Sequence, residues 1–113
     1  MPTQNESMRK LQSTLVLQFR KLNDSLDNVT DSSRTEAILR EMQEVNHRIA
    51  ITGSLLFSAQ AEELDEKVAV ISKGTRAVNA AIADQKNLQA FLDAVSEFLG
   101  LVDEAIDLAK TLT

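Results

Sequence analysis

His47 is the only histidine in the chain, and Glu44 stands three residues before it. The pattern Glu-x-x-His puts a carboxylate and an imidazole on one helical face, and di-iron carboxylate bundles use it twice, together with two further glutamates. Ligands to a metal in a bundle core must point inward. On a helical wheel, however, His47 falls nearly opposite the apolar series Ile38, Met42, Val45 and Ile49, and Glu44 is also turned well away from it. The pair is therefore expected on a solvated face, and a carboxylate–histidine metal site is the remote alternative. A Ser or Thr nucleophile would have to use His47 as its base. No short motif singles out any hydroxyl, and most of them fall at expected helix caps and loops, where capping accounts for them. No enzyme, no catalytic residue, no metal and no cofactor are expected.

The run Glu62-Glu63-Leu64-Asp65-Glu66-Lys67 is the other place where ligand-type residues gather. Calcium loops alternate oxygen ligands around a glycine-permitted turn. This run has no glycine and lies inside a helical pattern, where Glu63 and Lys67 make an i,i+4 pair in the favourable order. It too is read as a solvated helix face.

Composition narrows the function classes further. The chain has 113 residues, 43% of them hydrophobic and 26% charged, which suits one globular domain over residues 1–113. With no Cys, disulfides and thiolate chemistry are excluded. Residues 1–53 carry seven basic and seven acidic side chains, whereas residues 54–113 carry five and ten. An acidic half without Lys/Arg clusters repels phosphate backbones and anionic membranes, and the absence of Trp and Tyr removes most stacking platforms. Nucleic acid and membrane insertion are not expected. The longest largely apolar stretch, from Ile49 to Ala61, is interrupted by Thr, Gly, Ser and Gln, and falls short of the roughly 20 residues a span requires. Met1 to Lys10 has no apolar core, so a cytoplasmic location is expected.

Helical spacing of apolar residues runs almost throughout, so the fold class is all-α. A first helix is expected to open at a Thr3–Glu6 capping box, with Met8, Leu11, Leu15, Phe19, Leu22, Leu26 and Val29 inward. Asp27–Ser33 reads as a loop, and a second capping box at Ser33 and Glu36 starts the next helix. Its face Ile38–Ile49 and the later series Phe57, Ala61, Leu64, Val68 and Ile71 lie about a quarter-turn apart on the cylinder. Ser72-Lys73-Gly74-Thr75 has the chemistry of a helix stop, with Gly able to turn left-handed after a Lys that suits the dipole. The last helix turns Leu88, Phe91, Leu92, Val95, Phe98, Leu99, Val102, Ala105, Ile106 and Ala109 inward.

Two architectures follow. The preferred one is an antiparallel bundle of three helices near 4–28, 33–72 and 75–112, a long hairpin with a shorter N-terminal helix. The alternative is a four-helix up-down bundle with breaks at Thr52–Ser54 and Asp84–Asn87, supported by Thr75, Val78 and Ile82 continuing the phase of Phe57–Ile71. In the preferred form one short helix cannot cover a hairpin of roughly 57–60 Å. The rest of the seam then requires a second copy or a partner. Hence the chain is expected to be a non-catalytic protein–protein interaction and assembly module. It self-associates, a homodimer first, and presents its acidic half to a partner. Partner contacts are expected at Ile51, Leu55, Leu56, Phe57, Phe91 and Phe98, with Ile49–Ala61 as the centre. A small inhibitor, immunity or chaperone-type protein with one specific target is the alternative. Gly100, inside a strong helical pattern, is expected to mark close packing.

Overall fold

The structure, a computed structural model, describes residues 6–55, 62–84 and 87–112. Among these there are four α-helices, α1 (Glu6–Ser25), α2 (Ser32–Ser54), α3 (Glu62–Ala83) and α4 (Leu88–Leu112), one short 3-10 turn at Leu26–Asn28, and no strand. Thr3, of the first expected capping box, and Leu56 and Phe57 lie outside the described residues.

The preferred three-helix architecture is thus corrected to the four-helix alternative. The first break is visible in the bonding of the last turn. At the end of α2 the hydroxyls of Thr52 and Ser54 donate to the carbonyls of Ile49 and Ile51, and Leu55 N–H bonds back to Thr52 at i−3. Those bonds tighten and close the last turn, and Leu55 leaves it extended. The second break is capped. Asn87 accepts from Ala90 N–H through its side chain and from Phe91 N–H through its backbone, which starts α4.

The expected stop at Ser72–Thr75 is no stop. A glycine C-cap needs a left-handed φ, and no described glycine has one. Thr75 donates its hydroxyl to Ser72 within the helix instead of capping a new one. Carrying α3 through Gly74 buries Val78 and Ile82 in the core, and that burial outweighs the roughly 1 kcal/mol of a mid-helix glycine. The cap of α2 also moves, from Ser33 to Asp31, whose carboxylate accepts from Ser33 N–H at 3.3 Å. A carboxylate there satisfies an orphan donor and complements the helix dipole.

α1 packs against α2, and α3 against α4, as antiparallel hairpins. The hairpins join through α1 on α3 and α2 on α4. These cross-hairpin neighbours run parallel, since Ser7 meets Asp65 and Gln18 meets Asn79 in ascending order. α1 and α4 therefore face each other across the diagonal, as do α2 and α3. All four helices contribute to one core. Met8, Leu11, Leu15 and Leu22 come from α1, Ile38 and Val45 from α2, Leu64, Val68, Ile71 and Val78 from α3, and Phe91, Val95, Phe98 and Val102 from α4. The seam that a lone short helix would have left bare is covered by the chain's own helices. No helix among the described residues is long and apolar enough to cross a membrane.

Candidate functional site

Four of the six expected contact residues are described, and these four are half-buried or buried. Ile51 and Leu55 are half-buried against the core at the end of α2, and Leu56 and Phe57 are not described. Phe91 and Phe98 are fully buried within the bundle, at 0% and 2% exposure. Their apolar area is already satisfied by the chain, so in this fold neither can anchor a partner.

The Glu44–His47 pair is on the outside, as the wheel position requires. Glu44 is engaged by Arg48, which receives no mention in the sequence reading but organises the α2/α4 seam. Arg48 donates from Nε and Nη2 to the two oxygens of Asp103, at 2.7 and 2.9 Å, and from Nη1 to Glu44. The bidentate bond to Asp103, aided by Glu44, raises the guanidinium pKa despite partial burial. Among the described residues no three His, Cys, Asp or Glu side chains converge as metal ligands would.

Beside Arg48 lies a groove of about 430 Å³ lined by Arg40, Glu41, Leu99, Gly100 and Asp103. Gly100 does not mark close packing within the chain, contrary to expectation, because a Cβ built there meets nothing within 4 Å. It sits on the solvent side of α4, one residue past buried Leu99. Gly100→Ala is accordingly expected to raise stability by about 0.5–1 kcal/mol, read from the urea midpoint. A loss of stability would mean that something occupies that space. In the same groove Glu41 is held above the ordinary carboxylate range, first by partial burial and then by repulsion from Glu44. A raised folded-state pKa means that stability falls as pH climbs from the unfolded value through the folded one. Glu41→Gln should therefore be more stable than the parent at pH 7, and the gain should vanish below about pH 4, where both are neutral. An equal gain at both pH values would assign it to something other than ionisation.

A second groove of about 430 Å³ runs between α3 and α4. Its floor is Val70 and Leu101, and its rim is Glu63, Glu66, Lys67 and Glu104. Val70 is 51% exposed, one of three large apolar side chains so open to solvent among the described residues, with Leu17 and Leu39. Lys67 pairs with Glu104 across the groove at 3.7 Å, rather than with Glu63 along its own helix. Both partners are well exposed, so the pair is weak and screened by salt. Glu62, Glu63 and Asp65 also occupy the first turn of α3, where negative charge suits the helix dipole.

Two buried polar side chains hold the frame. Arg34, at the start of α2, is 2% exposed; its guanidinium stacks 4.5 Å from the Phe91 ring centre and Nη2 donates to the carbonyls of Ala81 and Ile82. It thereby caps the C-terminal end of α3 from across the diagonal, while its Nε and Nη1 have no partner. Gln18 is buried between α1 and α3 and donates to Asn79 at 3.2 Å. The helix spacing could have found both: Arg34 is four residues before Ile38, and Gln18 lies between Leu15 and Leu22, each at an inward position.

No family model, curated protein or solved structure matches the chain.

Proposed function

We propose that this chain is a non-catalytic helical binding protein that engages another protein with the acidic side of its second hairpin, α3 and α4. The observation that carries the reading is the α3/α4 groove, which combines an exposed apolar floor with a carboxylate rim. Elsewhere the polar groups that could have done chemistry are occupied with holding helices together: Arg34 caps α3, Arg48 joins α2 to α4, and Gln18 joins α1 to α3. The lone histidine stands exposed on α2, away from the core. A surface of this kind suits a small inhibitor, immunity or chaperone-type protein as well as an assembly adaptor. The common property is recognition by shape and charge.

The test is capture from the native cell with two baits, the parent chain and a Glu63→Lys/Glu66→Lys variant. The expected result is a protein retained by the first and lost from the second. Retention of the same proteins by both baits would overturn the assignment to this face.

Self-association is the second reading, and the α2/α4 groove around Gly100 favours it. That face carries both signs of charge, Arg40 beside Glu41, so two copies related by a two-fold axis could pair Arg40 of one with Glu41 of the other.

A further inference from the structure

We infer that the occupant of the α3/α4 groove is a basic amphipathic helix, laid along the groove with an apolar side chain on Val70 and Leu101 and with Lys or Arg one and two turns away, toward the start of α3. The inference rests on the reading of the chain as a binding protein and gives that reading a partner chemistry.

The wall positions set the shape. Glu63, Glu66 and Val70 stand on α3 at i, i+3 and i+7, and Leu101 and Glu104 stand on α4 at i and i+3. Because the helices are antiparallel, Val70 comes beside Leu101 while Glu104 comes beside Lys67. Leu101 also lies against Gly74, where an added Cβ would meet its Cδ1 at 3.9 Å. From Glu63 to Val70 is about two helical turns, or roughly 10 Å. An incoming helix would therefore meet an apolar spot with carboxylates displaced from it by one turn, the spacing at which its own i and i+3 or i+4 residues fall. Among the described residues no sheet edge is present, so an extended peptide has no backbone ladder to join.

Charge selects the sign of the occupant. Residues 62–67 carry four acidic side chains and one basic, and residues 103–110 carry three and one. All seven are exposed, but Asp103 is bound to Arg48 and Asp65 to Ser7, and the carboxylates that line the groove are Glu63, Glu66 and Glu104. The Lys67–Glu104 pair is open to water and gives way readily to a better-placed cation. A second copy docked face to face would set Glu63, Glu66 and Glu104 against their own equivalents, which costs affinity. A copy docked by some basic patch would make a head-to-tail contact that does not close.

The test is fluorescence anisotropy with a labelled Ala-based helical peptide of about 15 residues, carrying a Leu stripe flanked by Lys and Arg. A peptide of the same pattern with Glu in place of the cations is the comparison. The basic peptide should bind the parent chain, lose affinity with added salt, and bind Glu63→Lys/Glu66→Lys at least tenfold more weakly. Val70→Ser should weaken it several-fold with little change in the salt dependence. Asp24→Lys/Asp27→Lys, which makes the same change of net charge at the opposite end of the bundle, should bind as the parent does. Equal weakening by the two charge reversals would reduce the effect to net charge and overturn the inference. So would binding that ignores Val70→Ser, or self-association of the parent that Glu63→Lys/Glu66→Lys abolishes. If the peptide fails while native capture still depends on Glu63 and Glu66, only the helical basic occupant is wrong. If capture also loses that dependence, the function proposed for this face fails with it.

Discussion

Arg34→Ala is expected to cost about 3 kcal/mol of unfolding free energy, read from urea denaturation. Four effects act, and their sizes decide the sign. The carbonyls of Ala81 and Ile82 lose their side-chain donor at a partly buried helix end, at about 1–3 kcal/mol for a buried polar group left unsatisfied. The stacking on Phe91 is lost, worth about 0.5–2 kcal/mol. The three-carbon stem leaves a cavity that Ala cannot fill. Against these, removing a buried cation with two unpartnered nitrogens relieves a desolvation cost. Arg34→Met separates the last effect from the others, since it keeps most of the packing while discarding the charge. It should cost less than Arg34→Ala, by about 1–2 kcal/mol. An Arg34→Ala protein as stable as the parent would mean that the guanidinium is not inside the bundle.

Phe91→Ala is expected to cost about 3–5 kcal/mol, the range for emptying a well-packed ring site. Phe91 is completely buried in the first turn of α4. It also forms the surface on which Arg34 rests, so the two losses should not add. A double-mutant cycle should return a coupling of about 0.5–2 kcal/mol. Strict additivity would mean that the ring and the guanidinium are independent in solution. Together these two variants test the diagonal link from α2 to α3 and α4, which fixes how the hairpins sit and hence the shape of the α3/α4 groove.

The helices and their inward faces were legible in the sequence because burial repeats every three to four residues, and every residue assigned inward on α4 is buried or half-buried. The helix count was harder. Lys73-Gly74 has the composition of a C-cap, yet composition only permits a stop. What keeps α3 running is burial of Val78 and Ile82, and the continued apolar phase through Thr75 was the better signal of it. The end of α2 was the reverse case, since Leu55 suggests a helix interior while its backbone turns extended and its N–H bonds back to Thr52.

The groove was not legible at all. Val70 and Leu101 are ordinary apolar residues in sequence, and the acidic run looked like a solvated face, which each residue separately is. Only the antiparallel register of α3 on α4 sets the two apolar side chains between the carboxylates. Phe91 and Phe98 are the opposite case, being buried in the core. Large rings attract the role of interface anchors, but in a chain whose four phenylalanines are its only aromatic residues they are needed inside.

Four helices complete one another's core, so the chain is expected to stand alone and to offer its α3/α4 face to a different protein. Light scattering on a size-exclusion column, over a wide range of loading concentrations, tests this most directly. A single species at the chain mass of 12.5 kDa, unchanged on dilution, is expected. A species of twice that mass that persists on dilution would contradict it, and its loss in an Arg40→Glu variant would place the contact on the α2/α4 face instead.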